Sequence, residues 1–318
     1  MPNHTPITPT TFRSHGKLLI TGEYVVLDGA ESFALPTKFG QTLNVLNTQT
    51  NKLTWKAFNH KNKEWFSAEF DLNQLKNFDE KSILKSTSIE IAKRLFNFLT
   101  GAIQLNPNFL KNTDGLDVST YLEFPENWGL GSSSTLINNI ATWAKVDAYK
   151  LLWNSFAGSG YDIACAQHDN PITYQLIDKS PLVNTVLFNP NFKEHLFFIH
   201  LNKKQNSREG IKAYRALANQ LQKDEAIATI SKITTKLINT NNLSSFESLL
   251  YEHEQIIATL IQQKTVKQLL FDDFKGSIKS LGAWGGDFVL ATGEASYVKP
   301  YFLNKGYETI LPYIEMIA

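Results

Sequence analysis

Between Pro125 and Thr135 the chain reads Pro-Glu-Asn-Trp-Gly-Leu-Gly-Ser-Ser-Ser-Thr, and this crowding of glycines and hydroxyls constrains the fold more than any other stretch. Tyr121 to Phe124 reads as a strand leading in, and Leu136, Ile137, Ile140, Ala141 and Ala144 then recur with helical spacing. The segment predicts a strand, a tight loop and a helix start. Gly129 and Gly131 admit backbone angles closed to other residues and leave room for a ligand, while Ser132, Ser133 and Ser134 place hydroxyls at the helix start. Unpaired N–H groups and the helix dipole would face whatever anion sits there. No lysine follows the second glycine, and the third glycine of G-x-G-x-x-G is missing, so neither a Walker A loop nor a dinucleotide fingerprint is present. Taken alone, the segment fits a serine-capped strand-to-helix turn as well as a phosphate cradle.

Three further segments bear on that choice. They are Gly16-Lys17-Leu18-Leu19-Ile20-Thr21-Gly22-Glu23-Tyr24, Gly158-Ser159-Gly160-Tyr161-Asp162-Ile163-Ala164 and Lys279-Ser280-Leu281-Gly282-Ala283-Trp284-Gly285-Gly286-Asp287. With Pro-x-x-x-Gly-Leu-Gly-Ser-Ser they resemble, in order and over nearly the whole chain, the signatures of the GHMP small-molecule kinases. Gly22-Glu23-Tyr24, the Gly-Ser-Gly-aromatic-Asp loop and the acidic end of the third motif are most similar to the phosphomevalonate kinases of the mevalonate branch. Lys203-Lys204-Gln205-Asn206-Ser207-Arg208 resembles a small polar substrate segment of that branch.

The resemblance implies an α+β fold with an N-terminal mixed α/β domain, 1–190, and a C-terminal helix-rich, ferredoxin-like domain, 191–318. It implies ATP and Mg2+ as cofactors. Gly129, Leu130, Gly131, Ser132, Ser133, Ser134, Gly282, Gly285 and Gly286 would hold the nucleotide, and the Ser133 hydroxyl the metal, with Ser132 as runner-up. Asp162 matches the catalytic aspartate and Lys17 the lysine that partners it; Glu23, Tyr24, Ser159, Gly160, Lys204 and Arg208 are the candidate substrate-binding residues. The implied activity is transfer of the γ-phosphoryl group to phosphomevalonate or mevalonate in isoprenoid precursor synthesis. A sugar or amino-alcohol kinase and a nucleotide-binding homologue without catalysis stay open.

Two positions depart from the family pattern. Leu151 stands where mevalonate kinases place a magnesium-binding Glu, with no carboxylate beside it at Leu152 or Trp153, and Trp284 stands where the family has Gly. Glu23 or Asp287 could substitute, or the ion could be held mostly by ATP and water.

Phosphoryl transfer asks a protein to hold two anions in line and to neutralise the charge spreading over the moving group. An ionised Asp can accept the proton of a substrate hydroxyl, and a nearby ammonium stabilises the developing oxyanion. A phosphate-monoester acceptor, with a second pKa of ~6, is already largely ionised at neutral pH, so there the acid orients more than it deprotonates.

At 318 residues the chain exceeds the usual single-core size, which predicts two domains. Its 42% hydrophobic and 19% charged content is that of a globular protein. A net charge of +1 argues against coating nucleic acid, so attraction for anions has to be local. One cysteine, Cys165, allows no intrachain disulfide and reads as a packed small residue. Without a ~20-residue apolar run or a signal pattern, the expectation is a cytoplasmic protein with no membrane partner. Self-association as a homodimer is left open.

Along the chain, Leu18 to Ile20, Val25 to Leu27 and Leu43 to Leu46 read as strands. Leu53, Trp55, Ala57 and Phe66, Ala68, Phe70 alternate as a hairpin. An amphipathic helix is expected over Ile83, Ile91, Leu95, Phe96 and Leu99, with Gly101 near its end. Ile172 to Ile177, Thr185 to Phe188 and Leu196 to Leu201 read as strands, and the stretch from Ile211 to Leu260 as helices. Ser244 and Glu247 fit a capping box, and His253 falls on an apolar stripe as a packed histidine.

Overall fold

The computed structural model describes residues 8–155, 158–204, 207–217 and 219–318, without the side chains of 207 and 208. The chain forms β1 (Thr10–Thr21), β2 (Ser32–Asn47), β3 (Lys52–Phe58), β4 (Glu64–Asp71), α1 (Leu72–Lys76), β5 (Ile83–Ser86), α2 (Ile89–Leu105), β6 (Leu116–Leu122), α3 (Ser132–Ala144), α4 (Ala148–Ser155) and α5 (Tyr161–Ala166). It continues with β7 (Ile172–Ile177), β8 (Ser180–Thr185), β9 (Leu196–His200), α6 (Ser207–Arg215), α7 (Gln220–Asn239), α8 (Leu243–Leu260), α9 (Val266–Leu270), β10 (Ile278–Leu281), β11 (Phe288–Thr292), α10 (Ala295–Asn304), β12 (Ile310–Pro312) and α11 (Tyr313–Met316). Two compact units interleave in sequence. The first takes Met1–His15, Gly40–Glu126 and Gly131–Gln167, the second Gly16–Phe39, Asn127–Leu130 and His168–Ala318. Residue 190 falls between β8 and β9, inside the second unit.

In the first unit the strand order is β5-β4-β3-β6-β2. The expected hairpin is β3 and β4, antiparallel with Trp55 opposite Ala68, and β3 runs parallel to β6. Strict alternation turns Leu53, Trp55 and Ala57 inward, where they join one core with Leu95 and Leu99 of α2, Ile137 and Ile140 of α3 and Leu151 of α4. Two details differ from expectation. Ile83 lies on β5 rather than on the helix, and Gly101 sits inside α2, where a Cβ would come within 3.0 Å of Leu151 Cδ1. The glycine there permits close helix packing instead of ending the helix.

In the second unit β2 pairs with β7 and β7 with β8, and a separate antiparallel sheet has the order β10-β11-β9-β12. Counting β9, β10, β11 and β12 as one to four gives the order four-one-three-two, the ferredoxin-like arrangement expected for this part of the chain. Phe197 and Ile199 of β9 and Val289 of β11 pack with Phe271 and with Val298 and Phe302 of α10. Val25 to Leu27 is not a strand: Gly22 and Tyr24 have φ of 97° and 65°, which reverse the chain into a 3-10 turn at Val25–Asp28. Helix α8 is capped by Asn242, whose side chain accepts the Ser245 N–H at 2.9 Å, rather than by a box at Ser244. Among the described residues, no helix is long and apolar enough to cross a membrane.

Trp55 and Trp65 separate burial from strand propensity, the first 2% and the second 42% exposed on paired strands. Trp55→Ala is expected to cost about 3–5 kcal/mol in urea unfolding and Trp65→Ala less than about 1 kcal/mol. Equal costs would contradict this core.

Candidate active site

In the first unit α3 starts at Ser132 behind Gly131, whose φ of 89° only glycine adopts easily, and no side chain caps it. The first helical bond runs from Thr135 N to Gly131 O at 3.0 Å, so the N–H groups of Ser132, Ser133 and Ser134 have no intrahelical acceptor. Such a helix start favours an anion. Ser133 is exposed and Ser132 half-buried, while Ser134 is 5% exposed. Its hydroxyl donates to Asp162 Oδ2, and the Ile163 N–H donates to Oδ1 at 3.1 Å. Asp162 lies in the first turn of α5, behind the buried Ser159 and Gly160 (φ 91°). An uncapped helix start and a held carboxylate thus meet within this unit.

The second unit gathers the remaining glycines around Lys17. Its backbone N–H donates to Leu130 O at 3.0 Å and its ammonium to Gly129 O at 2.8 Å. Gly129 has φ of 66°, and a Cβ there would fall 2.2 Å from Asp287 Oδ2, so the Asp287 carboxylate lies directly on the loop. A Cβ on Gly282 would stand 3.7 Å from Lys17 Nζ; one on Gly285 (φ 80°) would meet nothing within 4 Å. The Gly286 N–H closes the turn onto Ala283 O at 3.4 Å. Trp284 faces away from the open side of this turn. Its indole is 3% exposed, packs with Val25, Tyr214, Ala226 and Ile230, and donates to Lys264 O at 3.0 Å.

Glu23 is a buried structural group here. Lys279 Nζ bonds Glu23 Oε1 and lies 3.1 Å from Glu254 Oε1, with Glu23 and Lys279 side chains 0% exposed. Ser280 donates to Glu254 through both its N–H and its hydroxyl. His253 Nε2 accepts the Gly22 N–H at 2.9 Å, which puts the proton of the neutral ring on Nδ1. Burial holds His253 well below its ordinary pKa, with Lys279 adding to the effect. Burial pushes the Glu23 carboxyl up to about 7, against the pull of Lys279. Glu23 Oε2 makes no hydrogen bond and lies 3.3 Å from the occupied Nε2 lone pair of His253, a contact that a protonated carboxyl relieves.

Tyr24 follows as a half-buried wall. Its hydroxyl accepts the Trp284 N–H at 3.2 Å and its ring stacks on Tyr214 at 5.8 Å; burial pushes the phenol up. Lys204 is exposed. Arg208 belongs to α6 with its side chain outside the described residues, as are Gln205 and Asn206. Glu254 was not anticipated, although Leu250, Glu254 and Ile257 share one buried helical stripe on which a carboxylate needs a partner.

Neither a protein-family model nor a curated protein matches the chain. Solved structures do. The mevalonate kinase of Methanococcus jannaschii is 17% identical with a TM-score of 0.69, covering 98% of each chain. The Streptococcus pneumoniae phosphomevalonate kinase in complex with phosphomevalonate and AMPPNP is 14% identical with a TM-score of 0.70, over 95% of this chain and 99% of that one. A Lactococcus lactis galactokinase complexed with galactose is 15% identical with a TM-score of 0.60, over 95% and 92%. The chain therefore shares the fold of these small-molecule kinases.

The raised pKa of Glu23 has a sign that unfolding can read. The folded protein keeps its proton up to about 7, while the unfolded chain releases it near the ordinary 4.5. The Glu23 contribution is therefore fully present below 4.5 and lost as the pH rises through about 7. Between these values the stability of the wild type relative to Glu23→Gln should fall by about 1.4 kcal/mol per pH unit, measured by urea unfolding at each pH. A pH-independent difference would mean that Glu23 is ionised throughout.

Proposed function

We propose that this chain is an ATP-dependent small-molecule kinase that transfers the γ-phosphoryl group to a small anionic acceptor, phosphomevalonate before mevalonate. One observation carries the reading: the uncapped start of α3, with three unpaired N–H groups, lies against a carboxylate that Ser134 holds. The helix start would bind phosphate, and Asp162 would orient the acceptor oxygen for attack. Lys17 would neutralise charge on the transferring group, and the turn Gly282 to Gly286 would admit phosphate oxygens to the backbone.

The donor set suits a magnesium ion carried in by the nucleotide. The exposed Ser133 hydroxyl is the protein's candidate ligand; Glu23 is spent on Lys279, and the described residues hold no group of three metal-ligating side chains. Magnesium binds few protein groups and keeps several waters. Bound with ATP, it would neutralise phosphate charge.

Phosphomevalonate is favoured by the Gly22-Glu23-Tyr24 and Gly158-Ser159-Gly160-Tyr161-Asp162 motifs and by the likeness to the pneumococcal enzyme that holds it. The similar likeness to a galactokinase keeps a sugar acceptor as the second reading. An ADP-release assay with magnesium-ATP against phosphomevalonate, mevalonate, galactose and an amino alcohol should show selective turnover on phosphomevalonate. Asp162→Asn and Lys17→Met should each lower kcat by about 10²-fold or more without unfolding the protein. Near-normal rates in both variants would refute the kinase assignment; turnover on galactose alone would keep the kinase and replace the acceptor.

A further inference from the structure

Helix α3 carries an unusual row of buried polar side chains. Asn138, one turn after Ser134 and on the same face, donates to Ser14 Oγ at 2.9 Å and to Ala166 O at 3.5 Å, and accepts from Gln167 Nε2 at 3.0 Å. Thr135 donates to Gln41 Oε1 at 2.8 Å, and Asn139 donates to Gln41 O at 2.9 Å while accepting from Ser14 at 2.8 Å. These bonds fix α3 in rotation and register against Ser14 of β1, Gln41 of β2 and the end of α5, residues that all belong to the first unit. Ser134 and Asn138 on α3 thus meet Asp162 and Ala166 on α5, two pairs each spaced by one helical turn.

A serine hydroxyl has one proton to donate. That of Ser134 goes to Asp162 Oδ2, while the Ile163 N–H takes Oδ1, so both carboxylate oxygens are held, by donors from two helices. We infer that Ser134 is a positioning residue for Asp162, fixing the carboxylate to the first turn of the phosphate-binding helix, and is not a hydroxyl ligand of the nucleotide. The inference rests on the kinase reading above. It assigns different tasks to adjacent serines: Ser133, exposed, is left for the metal–nucleotide complex, and Ser134, buried, serves the acid. Fixing the acid from the helix that holds the phosphate keeps acceptor and donor in register, and a displacement of about 1 Å can cost about 10²-fold in rate.

The test compares Ser134→Ala, Ser134→Thr, Asp162→Asn and the double variant Ser134→Ala/Asp162→Asn, with steady-state kinetics and calorimetry of ATP binding. Ser134→Ala should lower kcat by about 10- to 100-fold, with the KM for ATP and the calorimetric Kd changed by less than about threefold. Ser134→Thr, which keeps the hydroxyl, should recover most of the loss. The double variant should be no slower than Asp162→Asn, because Ser134 acts through the acid. Wild-type kcat in Ser134→Ala, a raised Kd for ATP with kcat intact, or additive losses in the double variant would each overturn the inference. If Asp162→Asn is itself active, the kinase reading fails instead, and the two failures are distinct. Should Ser134→Ala not fold, the near-isosteric Ser134→Cys, whose thiol is a weak donor, takes its place in the same comparison of kcat with Kd and should show the same loss.

Discussion

Lys279 brings a fully buried ammonium between Glu23 and Glu254, and much of the second unit's geometry follows from satisfying it. An unpaired buried ion costs several kcal/mol, so the turn after β1, the middle of α8 and strand β10 cannot part without exposing a charge. Two carboxylates against one ammonium leave an excess negative charge, which burial resolves by keeping a proton on Glu23. His253 then fixes the same turn through the Gly22 N–H. Gly22 must be glycine, since a Cβ would fall 2.0 Å from Ser32 Oγ. The cluster also fixes its neighbours: Tyr24 is the next residue after Glu23 and takes the Trp284 N–H, and Gly282, three residues beyond Lys279, approaches Lys17.

The first unit meets a different constraint. A helix start without a side-chain cap forgoes about 1 kcal/mol of local stability when Ala stands there, and Gly131 reduces that loss to a few tenths through its backbone freedom. Polar residues in the buried face of α3 add a requirement for partners. Ser14, Gln41, Ala166 and Gln167 supply them, so the helix is held by hydrogen bonds where another would be held by apolar contact alone. A network of that kind specifies one register, and so holds the uncapped first turn of α3 at a set distance from the Asp162 carboxylate.

Much of this was legible in the sequence because it is local. The strand, glycine loop and helix around Gly129 to Ser134 announce themselves through period and backbone requirement, and the hairpin at Trp55 and Ala68 through alternation. What sequence reading missed is nonlocal. Val25 to Leu27 has the composition of a strand, but positive φ at Gly22 and Tyr24 bends it into a turn. Ser134 and Asp162 are 28 residues apart, and nothing in either segment alone says which serine reaches the acid. The interleaved units have the same origin: β1 and β2 each begin in one unit and finish in the other, so no single cut in the sequence separates them.

Leu151 and Trp284, the two departures from the family's motifs, have different physical meanings. Trp284 sends its indole into the helix layer and leaves the turn at Gly285 open, so its bulk contributes to packing without obstructing the backbone that would meet phosphate. Leu151 is 0% exposed and touches the spot where Gly101 lacks a side chain, inside the core of the first unit. A carboxylate there would be desolvated against α2, inside an apolar cluster. A carboxylate at this position, where mevalonate kinases place a metal-binding Glu, therefore has no room in this packing.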